Sequence, residues 1–321
     1  MAVYTEIDDA ELFDFLATYD IGKPLSCKGI AEGVENSNFF LLTEKGVFIL
    51  TLYEKRVREA DLPFFLGLME HLSAQGLTCP QPIKNRHDAA LGRLADKPAA
   101  IVTFLDGHAL HHPDPDACSA LGGALAQLHL AGKSFKMTRD NALSVHAWRP
   151  LFTPFADRAG QIAQDLRALV EQELDLLERN WPRDLPSGVI HADLFPDNVF
   201  FLDHKISGLI DFYFACTDAL AYDLAICVNA WCFDANHQFR QENCAAMITA
   251  YQKTRRLGKE EIAAFPWLTR GAAMRFLLTR FVDWLNVPKG ALVQPKDPKE
   301  YLAKLNFHRT VRDPKTYSLS P

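Results

Sequence analysis

The chain has 321 residues, 48% hydrophobic, 11% aromatic and 23% charged, with 34 Lys+Arg against 40 Asp+Glu and a net charge of −6. That length and apolar content exclude disorder as the dominant state and leave room for two lobes, each with its own core. The mild acidity, with Lys and Arg scattered, argues against a nucleic-acid coat or a polybasic membrane binder. No run approaches ~18 consecutive apolar residues, so no membrane span is expected. Met1 to Asp20 lacks a basic start followed by an apolar run, so no signal peptide is expected and the cytoplasm is the expected location. Seven cysteines without a Cys-x-x-Cys pair read as reduced thiols. Cys227 and Cys232 sit in the apolar run Leu224 to Phe233, where Cys acts as a small hydrophobe.

In chain order, Asp9 to Tyr19 reads as a helix with Leu12, Phe13, Phe15 and Leu16 on its apolar side. Strands follow at Ser26 to Ile30, Phe39 to Thr43 and Val47 to Tyr53, the last two joined by Glu44-Lys45-Gly46. Leu62 to Ser73 reads as a helix, opened by Asp61-Leu62-Pro63 and closed by Gly76. Ala90 to Leu94 and Ala99 to Leu105 complete a small, mostly antiparallel sheet.

After Asp106-Gly107 the composition changes. Helical patterns cover Asp116 to Leu130, Phe155 to Asn180, Ala219 to Trp231, Gln238 to Thr254 and Glu260 to Leu285. Only Gly188 to His191, Asn198 to Leu202 and Ile206 to Asp211 interrupt them as strand candidates. The division expected is a β-rich lobe, residues 1–106, and a helical lobe, residues 107–321, an α+β organisation. Trp231, Phe276 and Trp284 are assigned to the core.

The strongest constellation runs from His191 to Asn198 (His-Ala-Asp-Leu-Phe-Pro-Asp-Asn) and continues at Gly208-Leu209-Ile210-Asp211-Phe212. Val189-Ile190 delivers His191 and Asp193 at a strand end, and Pro196 breaks the backbone into a loop. A hairpin of Val199–Leu202 with Ile206–Ile210 would return Asp211 beside Asn198. Asp193, Asn198 and Asp211 would then form a hard-oxygen set of the kind that suits Mg²⁺ with phosphate oxygens. An Asp left over from metal binding can accept a proton from an attacking hydroxyl.

Two other phosphate motifs fail. Gln127 to Ser134 ends like a Walker A loop, but Gln127 holds the first Gly position and the segment closes a helix. No G-x-G-x-x-G occurs, which disfavours a dinucleotide-binding fold.

The spacing H-x-D-x-x-x-x-N, with Asp-Phe 13 residues on, resembles the catalytic loop and metal-binding Asp of protein-kinase-like enzymes. The His-Ala-Asp form, with Asp211-Phe212 and Tyr222-Asp223-Leu224-Ala225, resembles the aminoglycoside phosphotransferase and choline kinase branch. Longer segments are similar to the homoserine kinase family of that type: Gly29 to Phe39, Phe48 to Arg56, Asp61 to Glu70, Val189 to Phe201, Asp211 to Ala215, Asn229 to Phe233, Gly271 to Leu285 and Lys296 to Tyr301. The resemblance implies a bilobal protein-kinase-like fold, with a small antiparallel β N-lobe and a larger, mostly helical C-lobe. It implies transfer of the ATP γ-phosphate to the side-chain hydroxyl of L-homoserine by a monomer or homodimer, with no nucleic-acid or membrane partner. Choline, methylthioribose and aminoglycosides are the alternative acceptors, and a non-catalytic nucleotide-binding relative is a further alternative.

By the same resemblance Asp193 receives the hydroxyl proton with His191 bracing the loop, Asn198 and Asp211 hold Mg²⁺, and Asp223 supports the catalytic loop from a helix. Gly29, Gly33, Asn36 and Ser37 belong to the loop that covers the nucleotide, where glycines let backbone amides approach phosphates. Thr103 and Leu105 belong to the hinge that meets the adenine. The phosphate-pairing Lys of the superfamily's third strand is replaced by Thr51, as in the homoserine kinase family; Lys55 lies ~13 Å further along an extended strand. For the zwitterionic acceptor, Arg275 or Arg280 is expected to meet the carboxylate, Asp197 the ammonium, and Tyr213 to line the pocket.

Overall fold

The computed structural model describes residues 5, 7–30, 36–54, 57–287 and 295–320. They form two compact units. The first takes in Met1–Gly107, Phe135–Met137 and Ser207–Tyr213, the second His108–Ser134, Thr138–Ile206 and Phe214–Pro321.

In the first unit, α1 (Asp9–Leu16) starts at Asp8, whose carboxylate accepts the Ala10 N–H at 2.9 Å. Leu12, Phe15 and Leu16 are buried, whereas Phe13, expected on the apolar face, is 55% exposed. Strands β1 (Pro24–Gly29), β2 (Ser37–Thr43) and β3 (Gly46–Leu52) form a meander; the helix α2 (Leu62–Ala74) follows, then β4 (Gly92–Leu94) and β5 (Lys97–Thr103). The order is β1-β2-β3-β5-β4, and every pairing is antiparallel. Burial alternates strictly along β2, so Phe39 and Leu41 meet Leu50, Leu52, Ile101 and the inner face of α1 in one core. On α2, Pro63 occupies the first turn, where its missing N–H costs nothing, and Gly76 follows the helix end at φ 86°.

The second unit begins with β6 (His108–Ala109) and α3 (Pro115–Ala131), the latter capped by the Asp114 carboxylate on the Ala117 N–H at 2.8 Å. Helices α4 (Val145–Phe152) and α5 (Leu166–Asn180) precede strands β7 (Ser187–Ile190), β8 (Val199–Leu202), β9 (Lys205–Leu209), whose residues from Ser207 on belong to the first unit, and β10 (Cys216–Ala219). Four helices complete it: α6 (Leu220–Trp231), α7 (Gln241–Thr254), α8 (Lys259–Leu285) and α9 (Pro298–Thr310). Asp203 and His204, at φ 49° and 63°, join β8 to β9 in a two-residue turn. β7 pairs antiparallel with β10, Ile190 opposite Cys216, so the chain leaving Ile190 is anchored on both sides before it turns. Helix α6 lies beneath that turn with Leu220 to Asn229 all buried.

The single helix expected over Phe155 to Asn180 is instead a 3₁₀ stretch over Thr153–Gln161 followed by α5. Pro154 cannot donate to the preceding turn and Gly160 weakens the next, so the α-ladder restarts only at Leu166. α4, α9, β6 and β10 lie outside the expected elements. Trp231 and Phe276 are core residues as expected, but Trp284 is 41% exposed near the end of α8.

Candidate active site

The turn after β7 is fixed by hydrogen bonds from several directions. The Asp223 carboxylate, on the first turns of α6, accepts the His191 N–H at 2.7 Å and the Ala192 N–H at 2.8 Å. Ala192 is thereby held at φ 64°, the left-handed region that an alanine adopts only when its surroundings impose it. The Asp193 N–H points to His191 Nδ1 at 3.3 Å. Trp231 Nε1 donates to the Leu194 carbonyl at 2.7 Å.

Asn198 then ties the loop's end to its start. Its Nδ2 donates to the Asp193 carbonyl at 2.8 Å and to Asp193 Oδ2 at 3.2 Å. Both donor contacts engage one residue, and among the described residues the amide oxygen of Asn198 accepts no hydrogen bond. A hard oxygen is thus left over beside a half-buried carboxylate, the donor type a divalent cation carrying phosphates takes.

Asp223 is fully buried. Burial pushes its carboxyl up, but the hydrogen bond and charge of His129, the charge of His191 and the His191 N–H outweigh that and hold it below the usual Asp range. His129 Nε2 lies 3.2 Å from Asp223 Oδ2 while its Nδ1 meets the Tyr251 hydroxyl at 2.8 Å. Tyr251 accepts from Arg255 at 3.0 Å, and Arg255 pairs with the buried Glu261 at 2.8 Å. The carboxylate that shapes the turn therefore heads a buried polar chain from α6 through α3 and α7 to α8. His129, in the last turn of α3, was not anticipated; its one signal is a histidine on the helix face that carries Leu125 and Leu128.

The other expected residues lie as follows. In the first unit, Gly29 ends β1 opposite Phe39; Gly33 and Lys55 fall outside the described residues. The Asn36 amide oxygen accepts the Glu54 N–H at 3.3 Å, and the Ser37 hydroxyl donates to Glu54 Oε1 at 2.8 Å. Glu54 also accepts from Thr5 at 2.7 Å and pairs with Lys97 at 2.7 Å. Glu54 and Lys97 were not anticipated, since their pairing bridges 43 residues and leaves no local pattern. Thr51 is buried, its hydroxyl on the Asn38 amide oxygen at 2.8 Å. Thr103 closes β5 opposite Phe48, and Leu105 packs so close to Gly208 that a Cβ there would lie 2.5 Å from its Cδ1. Asp211 follows β9 at φ 63°, and the Tyr213 hydroxyl meets that of Tyr53 at 3.2 Å, with burial pushing the Tyr213 phenol up to about 12.

In the second unit, Asp197 is exposed and pairs with Lys296 at 3.0 Å. Arg280 Nη1 pairs with Glu300 over the ring face of Tyr301. Burial pushes the Glu300 carboxyl up, and the nearby charges of Lys304 and Arg280 overcome that and bring it down to about 2. Arg275 is buried, with Nη1 on the Ala192 carbonyl at 2.7 Å. Asp193, Asn198, His191, Asp223 and Arg275 thus meet around one turn, while Arg280 and Asp197 each have a different partner.

Residues 26–257 match the phosphotransferase enzyme family. The chain belongs to that family. It is 61% identical to a homoserine kinase of Methylobacterium radiotolerans over 99% of both chains, and 63% identical to one of Beijerinckia indica over 97% of both. A homoserine kinase of Rhodospirillum rubrum is 60% identical over the whole of both chains. Among solved structures the fold matches an amicoumacin kinase in complex with AMP-PNP and Ca²⁺, TM-score 0.69, 16% identity, over 98% of this chain and 94% of that one. It also matches a choline kinase from Cryptosporidium parvum, TM-score 0.66, 15% identity, over 88% of each. The phosphotransferase therefore has an α+β, kinase-like fold. Among the described residues no helix is long and apolar enough to cross a membrane.

Proposed function

We propose that the protein phosphorylates the side-chain hydroxyl of L-homoserine with ATP, giving O-phospho-L-homoserine and ADP, a step toward threonine. The observation that carries this is the 60–63% identity to homoserine kinases across essentially the full length of each chain.

Asp193 is the residue we assign as proton acceptor. As the homoserine oxygen forms its bond to the γ-phosphorus and the bond to the β-phosphate bridging oxygen breaks, the hydroxyl proton passes to the Asp193 carboxylate. The turn contributes position: Asp223, His191 and Asn198 fix the backbone on either side of Asp193, so little reorganisation is left for the transfer. Asn198 and Asp211 are the residues we assign to Mg²⁺, which when bound would neutralise phosphate charge. Gly29, Gly33, Asn36, Ser37, Thr103 and Leu105 are assigned to the nucleotide, and Tyr213, Arg280 and Asp197 to the amino acid. Free thiols throughout suit a cytoplasmic enzyme.

The test is a panel of acceptors with ATP and Mg²⁺: homoserine, choline, methylthioribose and an aminoglycoside. Preferential turnover of homoserine is expected. Preference for another acceptor would move the specificity, and no transfer to any of them would support a non-catalytic nucleotide binder.

A further inference from the structure

Arg275 has an unusual environment for a buried cation. It is 2% exposed, lies in the middle of α8 and has no carboxylate partner among the described residues. Its guanidinium sits 4.6 Å from the ring centre of Phe276 and 5.7 Å from that of Phe214, and its Nε is buried without a hydrogen-bond partner among those residues. Burying an unpaired guanidinium carries a large desolvation penalty, and leucine or methionine would fill the same apolar slot without it. The one strong hydrogen bond it makes is Nη1 to the Ala192 carbonyl at 2.7 Å.

That carbonyl belongs to the Ala192–Asp193 peptide, whose N–H meets His191 Nδ1. The peptide is thus held at both ends, by a charge-assisted bond on one side and an imidazole on the other. Its preceding neighbour is held through the Ala192 N–H by Asp223. Rotation of the Ala192–Asp193 peptide changes ψ of Ala192, which is confined to a narrow well at its left-handed φ, together with φ of Asp193, and would swing the Asp193 carboxylate away. Arg275 closes that route.

We propose that Arg275 is a positioning residue for phosphoryl transfer: by holding the Ala192 carbonyl it locks the strained turn that presents Asp193. This replaces the expectation that Arg275 meets the substrate carboxylate, because its donor is engaged and almost none of its surface is open. The proposal rests on the reading of Asp193 as proton acceptor.

The experiment compares kcat, both KM values and the thermal midpoint for wild type, Arg275→Met, Arg275→Lys, Ala192→Gly and the two double variants, with Asp193→Asn alongside. Arg275→Met is expected to lower kcat by about 10- to 100-fold, with KM for ATP and homoserine within about threefold. Arg275→Lys, which keeps the charge and a donor, should lose less. Glycine adopts positive φ freely, so in the Ala192→Gly background the penalty for losing Arg275 should shrink by about tenfold. If Arg275→Met does not fold, the lysine series carries the same comparison. An unchanged penalty in the glycine background, a rise in homoserine KM at constant kcat, or a lower midpoint at constant kcat each overturns the proposal. Near-wild-type turnover by Asp193→Asn would instead show that the underlying assignment of the base is at fault.

Discussion

The Asp223 carboxylate accepts the Ala192 N–H at 2.8 Å, and Ala192 sits at φ 64° because of it. One buried side chain thus sets the backbone conformation of the residue next to the proposed base. Asp223→Asn keeps the size but turns one acceptor into a donor, leaving an N–H of His191 or Ala192 facing another N–H. A loss of about 3 kcal/mol or more is expected in urea unfolding, with kcat down at least about tenfold. Unaltered stability and kcat would show that the turn does not depend on this carboxylate.

Glu54 gathers Thr5, Ser37 and Lys97 at the end of β3. Ser37 and Asn36 belong to the stretch proposed to meet the nucleotide phosphates, so the ion pair is expected to act on nucleotide affinity. A partly exposed pair of this kind is worth about 1 kcal/mol, or roughly a fivefold change in affinity. For Glu54→Gln, KM for ATP is expected to rise about fivefold with kcat within about twofold. A fall in kcat at constant KM would place Glu54 elsewhere in the reaction.

His308 is buried between Tyr317, whose hydroxyl is 2.7 Å from Nδ1, and Asn229, whose Oδ1 is 3.1 Å from Nε2. The Asn229 amide nitrogen donates to the Ala225 and Thr269 carbonyls, so its oxygen faces the ring and the proton is assigned to Nε2. Burial, then the charges of Lys304 and Arg270, lower the pKa from 6.5 to about 3. Between those values the unfolded chain takes up a proton that the folded chain refuses. Stability is therefore full above pH 6.5 and falls as pH drops toward 3, by up to ~1.4 kcal/mol per pH unit. Denaturation midpoints from pH 7 to 4 should decline less steeply in His308→Gln by about one proton. Parallel pH profiles would remove His308 from the acid response.

Gly122 on α3 faces α7 so closely that a Cβ would lie 2.2 Å from the Met247 carbonyl oxygen. The obstacle is backbone, which cannot swing aside as a side chain can. Gly122→Ala is expected to cost about 1–3 kcal/mol by overpacking, beyond its gain in helix propensity. A variant as stable as the parent would mean that α7 shifts freely.

The parts of this site that are local in sequence were legible. Asp193 and Asn198 stand five residues apart with Pro196 between them, and that spacing carries its own geometry. The strand runs of the first unit were legible from alternation, to within a residue or two. Three kinds of feature were not. An alanine at positive φ carries no sequence sign, because what forces it is Asp223, 31 residues away. The partners of Arg280 and Glu54 belong to distant elements, so the sequence shows the charges but not the pairing. The short strand β10 consists of Cys-Thr-Asp-Ala, which has little strand propensity, and it exists because β7 offers an edge.

The central claim is that Asp193 serves transfer of phosphate from ATP to homoserine. The direct measurement is the rate of O-phospho-L-homoserine formation, followed by ³¹P NMR, for wild type and for Asp193→Asn at saturating ATP, Mg²⁺ and homoserine. The account predicts product with wild type and a rate about 10²–10⁴-fold lower with the variant. Product formation by Asp193→Asn within a few-fold of wild type would contradict it.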